Sequence, residues 1–312
     1  MDLKAPPALN LPPDEDPPSY APASYNTANV GPHILTDEKA YDAVSIGSVI
    51  SQAPGFNPTI HLAIETLGFD LNVFNSRNWN GDQAIPVFRM HPGATPDLPF
   101  ERAEQPEYIS VRPKKNSNSC ALVRGDDPAQ TPLISTVYRW GPGRDPHMRI
   151  YGPNEQISVA DAVDKDKHIA NEFEVKTHFI TSRSASMVSP FGKFEWRYGK
   201  RSEKKEYAAD SLLVCDRLDS PNAPTNASSS SKKDSRVRIA QLIRNEEYRA
   251  QGSKKRWVGG NGGRLMLDLG DWVGREKSGV VEEVEAVLVA GCLLMLKRET
   301  DRQKDNQLAA IT

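Results

Sequence analysis

The sequence predicts a mainly β fold of about ten to twelve short strands, a sandwich or a barrel, with a buried hydrophobic C-terminal helix whose natural place is inside a closed antiparallel β-barrel, behind a disordered proline-rich tail. Three observations point there. Segments in which apolar and polar residues alternate recur from Thr59 to Leu269, with no helical period between them. Ala286 to Leu296 are eleven apolar residues in a row. Residues 1 to 33 are rich in Pro, Ala, Ser and Asn and nearly devoid of aliphatic side chains.

The alternation defines the strands. Ile60, Leu62 and Ile64 alternate with Thr59, His61 and Glu65; after the turn at Leu67-Gly68, Phe69, Leu71 and Val73 alternate with Asp70 and Asn72. Ile109 and Val111 repeat the pattern, as do Ile134, Thr136, Tyr138 and Trp140, and Phe173, Val175 and Phe179. In GKFEWRYGK, Phe194, Trp196 and Tyr198 share one face, and Lys193, Glu195 and Arg197 the other. Val237 and Ile239, then Leu265, Leu267 and Leu269, complete the series. Gly141-Pro142-Gly143, Gly152-Pro153-Asn154 and Gly259 to Gly263 read as turns. Residues 220–235, SPNAPTNASSSSKKDS, are a low-complexity insertion that reads as a mobile surface loop. The barrel domain spans about 55–300, with a polar tail at 301–312.

The apolar stretch is preceded by Glu282, Glu283 and Glu285 and followed by Lys297 and Arg298, an order that suits the helix macrodipole. It is too short to span a membrane, at about 17 Å of helix against about 30 Å of hydrocarbon. It has no polar face, so it is not a surface helix. Val287, Leu288, Val289, Cys292, Leu293, Leu294 and Leu296 therefore belong inside a barrel that closes around them; shallow membrane insertion is the competing reading.

A net charge of −2 argues against a bulk nucleic-acid binder. Hydrophobic content of 38% is low for a fully packed chain of 312 residues, as expected if part of it is unfolded. The three cysteines, Cys120, Cys215 and Cys292, have no metal-ligand spacing. Met1-Asp2-Leu3-Lys4 runs into prolines rather than a secretory signal, so a cytoplasmic protein with buried thiols, peripheral to a membrane at most, is expected.

Within residues 1–50, Pro17-Pro18-Ser19-Tyr20 is a Pro-Pro-x-Tyr peptide of the type that WW domains read. Prolines hold the chain in polyproline II before a partner arrives, so docking costs little entropy. Asp14-Glu15-Asp16 keeps the segment solvated, and Lys4 and Lys39 flank it. The plain alternative is a chance tetrapeptide in a proline-dense tail.

FEWRYGK with its Trp-Arg pair, the strand series and AVLVAGCLLMLKRE together make residues 55–300 resemble the tubby C-terminal-like superfamily, which includes the phospholipid scramblases and the LURP-one-related proteins. The resemblance implies a barrel of about 12 strands threaded by a hydrophobic helix. Scramblases also carry Pro-Pro-x-Tyr peptides in a proline-rich tail. The chain lacks the scramblase palmitoylation cysteines, and DAVDKDKH at 161–168 lacks calcium-loop spacing. Tubby proteins bind phosphoinositides through surface lysines and arginines. The candidates here are Lys200, Arg201, Lys204 and Lys205, and Lys254, Lys255 and Arg256, against the plainer reading of solvated loop charge interleaved with Glu203 and Glu206.

The catalytic signatures G-x-S-x-G, H-E-x-x-H and the Walker loop do not occur. Gly259 to Gly263 precede a strand and read as a hairpin turn, His178 as a solvated residue, and His147 as a histidine without an obvious partner. No cofactor or metal is expected. The leading expectation is a non-enzymatic adaptor that presents the peptide to a WW-domain partner such as a HECT-type ubiquitin ligase. The alternatives are a module for anionic phospholipid and an arrestin-like adaptor with two sandwich domains.

Overall fold

A computed structural model describes residues 55–311 apart from 69–83, 96–97, 115–117, 140–143, 153–154, 168, 179–182, 219–235, 251–252, 254–258 and 275–278. The chain divides into Met1–Val44 and Ser45–Thr312, and everything described lies in the second unit. The strands are β1 (Ile60–Ile64), β2 (Ile85–Thr95), β3 (Leu98–Arg102), β4 (Tyr108–Val111), β5 (Cys120–Arg124), β6 (Pro132–Val137), β7 (His147–Ile150), β8 (Glu172–His178), β9 (Ser184–Ser189), β10 (Gly192–Tyr198), β11 (Ser211–Arg217), β12 (Val237–Arg244) and β13 (Arg264–Leu267). The helices are α1 (Val159–Ala162), α2 (Arg201–Glu206) and α3 (Val280–Ile311).

The strands from β4 to β13 pair each with the next, all antiparallel. β1 then joins β13 to β2, and β2 joins β4, so twelve strands close into a ring without an edge. β3 stands outside this ring, paired with β2 alone. A single closed barrel thus stands where the arrestin-like reading expects two sandwiches.

Period-two alternation sends one side chain of each pair inward. Leu62, Val87, Tyr108, Leu122, Ile134 and Met148 line one half of the wall, and Val175, Met187, Trp196, Cys215, Leu242 and Leu265 the other, in one core with α3. A bulge opposite Cys215 and Asp216 inserts one residue in β12, so the neighbours Ile239 and Ala240 both reach this core. Within α3 every residue from Val284 to Leu296 is buried. A helix apolar all round finds apolar neighbours all round only inside such a ring, which is where Ala286 to Leu296 lie. No helix among the described residues is long and apolar enough to cross a membrane.

Two features go beyond the sequence reading. The segment after residue 300 stays helical to Ile311. Lys, Gln, Leu and Ala favour helix there, and Lys297 pairs with Asp301 one turn on. The glycines at 259–263 do more than turn the chain. A Cβ on Gly260 would fall 2.1 Å from Thr300 Oγ1, and one on Gly262 would fall 1.8 Å from the Ile64 carbonyl oxygen. Only glycine lets this loop pass between α3 and β1, and Gly260 also has a φ of +81°.

Outside the ring, Leu212 and Val214 of β11 pack with Ile243, Met266, Tyr207 and Phe56 in a second cluster. β11 is consequently buried on both faces. The expected strand at Phe69 to Val73, the turns at 141–143 and Pro153-Asn154, Trp140, Phe179 and the insertion at 220–235 fall outside the described residues.

Candidate functional site

The helix is fixed to the wall by a carboxylate near each mouth of the barrel. Toward its amino end, Glu285 accepts hydrogen bonds from Arg89 Nη2 at 2.5 Å and from the Tyr108 hydroxyl at 3.1 Å. Arg89 also holds Glu107 at 3.1 Å, and Glu107 bonds Arg124. Burial raises the Glu285 carboxyl above its ordinary range, with the Arg89 charge and the Tyr108 hydrogen bond opposing it. Trp272 closes the same mouth. It lies 6.0 Å from Phe194, and the Arg217 guanidinium stacks 4.7 Å above its ring.

At the other mouth Glu299 accepts from Arg244 Nη1 at 2.5 Å and Nη2 at 2.7 Å, and from the Gly260 N–H at 3.0 Å. The Arg244 and Glu299 side chains are 3% and 9% exposed, so water hardly screens the pair. The Tyr138 hydroxyl donates to Asp301, and Arg302 donates to the Tyr198 hydroxyl. The two latching carboxylates are fourteen residues apart (285 and 299), about 21 Å of helix, with the apolar plug between them.

The Trp-Arg pair of β10 divides between the two faces. Trp196 enters the lumen, where a Cβ on Gly291 would fall 2.6 Å from its Nε1. Arg197 points outward and binds Asp216 at 2.7 Å and Glu203 at 2.9 Å. Glu203 is bonded by Arg238 as well and accepts from the Lys200 N–H at 2.6 Å, closing the first turn of α2. Burial works against its charge, yet hydrogen bonds from Arg197 and Lys200 and the Arg197 and Arg238 charges pull Glu203 down to about 2. Lys200, Arg201 and Lys205 are exposed around it, with Lys204 half-buried.

On the outer wall of β6 and β7, Arg149 is 2% exposed and organises the loop that contains DAVDKDKH. Its guanidinium donates to the carbonyl oxygens of Ala162, Asp164 and Lys167, and its Nε to Glu172 at 2.8 Å. Those carbonyls are committed to an arginine. His147, which has no obvious partner in the sequence, bonds Glu172 and lies 3.3 Å from Arg139. Among the described residues no group of three or more His, Cys, Asp or Glu is arranged to hold a metal ion.

Of the residues singled out from sequence, Val287, Leu288, Val289, Cys292, Leu293, Leu294 and Leu296 come together in the lumen. Lys200, Arg201, Lys204 and Lys205 come together on α2. Pro17, Pro18, Ser19, Tyr20, Lys254, Lys255 and Arg256 lie outside the described residues, as does the side chain of His178. The latches were missed; acidic and basic residues bracketing an apolar helix were their only trace in the sequence.

These features define a class: an up-and-down antiparallel barrel plugged by its own C-terminal helix. Comparison of the chain with family models, with curated proteins and with solved structures returned no match.

Proposed function

We propose that this protein is a non-enzymatic, cytoplasmic binding protein whose plugged barrel carries a WW-domain ligand, Pro17-Pro18-Ser19-Tyr20, on its amino-terminal segment. The observation that supports this is the filling of the lumen. α3 and the inward side chains occupy the space that a ligand-carrying barrel leaves open, so recognition falls to the outer surface and to flanking chain. The described free thiols, Cys215 and Cys292 buried and Cys120 half-buried, suit a reducing compartment. The partner class is a WW-containing HECT-type ubiquitin ligase, with Lys4 and Lys39 as modifiable sites. Membership of the tubby-like superfamily is part of the same proposal and rests on the threaded barrel.

Tyr20→Ala is expected to weaken binding of the full chain to an immobilised WW domain by tenfold or more, about 1.4 kcal/mol per factor of ten. Fluorescence or surface-based titration reads this directly, and unchanged affinity removes the proposal.

A second reading, an anionic-lipid surface, draws on one observation. Glu203, which in sequence dilutes the basic cluster, is spent on Arg197 and Arg238. Lys200, Arg201 and Lys205 then outnumber Glu206, the other acid of α2, in a cationic face worth about 1 kcal/mol per basic residue near an anionic membrane. Flotation with phosphoinositide vesicles that salt abolishes favours this reading; absent or salt-insensitive binding dismisses it.

A further inference from the structure

The outer wall of β1 and β13 holds an arginine, Arg264, with a terminal nitrogen left without an acceptor, and beside it His61. Ala63 stands opposite Arg264 and His61 opposite Met266, and Leu62 and Leu265 point into the lumen, so His61 and Arg264 face outward. The Arg264 guanidinium lies between two rings, 4.2 Å from the centroid of Tyr248 and 4.7 Å from that of Phe100. Phe100 stacks in turn on His61, with centroids 4.5 Å apart.

Among the described residues Arg264 has no carboxylate partner. Its Nη1 is shut off from solvent without a hydrogen bond, and so is His61 Nδ1. A buried guanidinium N–H without an acceptor is costly and uncommon, and that of Arg264 points to an acceptor from outside the chain; the His61 imidazole stands beside it. Burial, then the Arg264 charge, lowers His61 to about 4 against the Pro58 carbonyl, so the imidazole is neutral at pH 7. Burial also lowers Arg264, with Tyr248 and Glu247 opposing.

The charge count selects the ligand. One guanidinium, with the exposed Glu247 nearby and no second cation beside it among the described residues, suits a single negative charge rather than a phosphate dianion. The planar fork of an arginine matches a carboxylate. The outer wall of the site is Phe100 on β3, the strand outside the ring, which pairs with β2 alone.

We propose that Arg264, walled by Phe100 and Tyr248 and flanked by His61, forms a binding site for a carboxylate of a peptide partner. The site is independent of Pro17 to Tyr20 and of the basic face on α2.

The test is a titration of the full chain, following the His61 imidazole by NMR. The probes are N-acetylphenylalanine (a chain-terminal carboxylate), N-acetylglutamate α-amide (a side-chain carboxylate), N-acetylphenylalanine amide and inorganic phosphate. Saturable shifts are expected with one or both carboxylates and none with the neutral amide, and the stronger carboxylate names the source. Arg264→Gln is expected to weaken binding tenfold or more. Arg264→Lys, which keeps the charge and loses the fork, also weakens it and carries the comparison if Arg264→Gln does not fold. Absence of saturable shifts, shifts that survive both substitutions, or tighter binding of phosphate than of either carboxylate overturns the proposal.

Discussion

Glu299→Ala is expected to destabilise the barrel by about 3–5 kcal/mol, because it leaves the Arg244 guanidinium buried and uncompensated. Arg244 is 3% exposed and spends both terminal nitrogens on Glu299, so solvent does not replace the lost partner. Removing both charges together, as Arg244→Met with Glu299→Met, is expected to cost far less, since the desolvation of both ions vanishes with them. Denaturant melts of the three variants separate the pair from its two charges. The pair also has a signature in pH. Burial opposes the Glu299 charge, but the Arg244 hydrogen bonds and charge hold the folded carboxyl below its usual 4.5. The folded state therefore binds the proton less readily than the unfolded chain. Stability from this pair is present above pH 4.5 and is lost as the pH falls through the folded value. The double methionine variant is expected to lose less stability over the same acid range.

Leu288→Ala is expected to cost about 2–5 kcal/mol, the range for a buried leucine whose cavity does not collapse. Leu288 is fully buried within the ring, and a strand wall closed on itself has little freedom to move inward. The opposite change tests the same packing. Gly291→Leu puts its first carbon 2.6 Å from Trp196 Nε1, and overpacking of this kind costs about 1–3 kcal/mol or more. The combination is informative because a helix lying on a membrane would tolerate the added leucine and weaken little on losing the other. Thermal or chemical melts in which both variants match the wild type would put α3 outside the barrel.

The parts that were legible in sequence are those whose chemistry is local. Ala286 to Leu296 announce burial because no polar residue interrupts them, and β10 announces its two faces through Phe194, Trp196 and Tyr198 against Glu195 and Arg197. β11 is hidden. Its outer residues Leu212 and Val214 lie under Tyr207 and Phe56, so SLLVCDR carries no alternation. β2 is masked by Pro86 and Pro92, residues that speak against a strand. The latches join residues 55 and 196 positions apart, and no local pattern marks which charges meet. The basic cluster on α2 shows the same limit. In sequence Glu203 reads as a diluting charge, and only its bonds to Arg197 and Arg238 remove it from the surface balance. Arg264 carried no signal at all, since its distinguishing property is a partner it lacks.

That α3 threads the closed ring is the claim on which the account turns, because the filled lumen is what sends recognition to the outside of the molecule. Native-state hydrogen exchange of the amides from Val287 to Leu296 tests it most directly. Exchange there is expected only through global unfolding, with the denaturant dependence of the whole barrel. Exchange through a smaller opening, while the strands β10 to β13 remain protected, would contradict it.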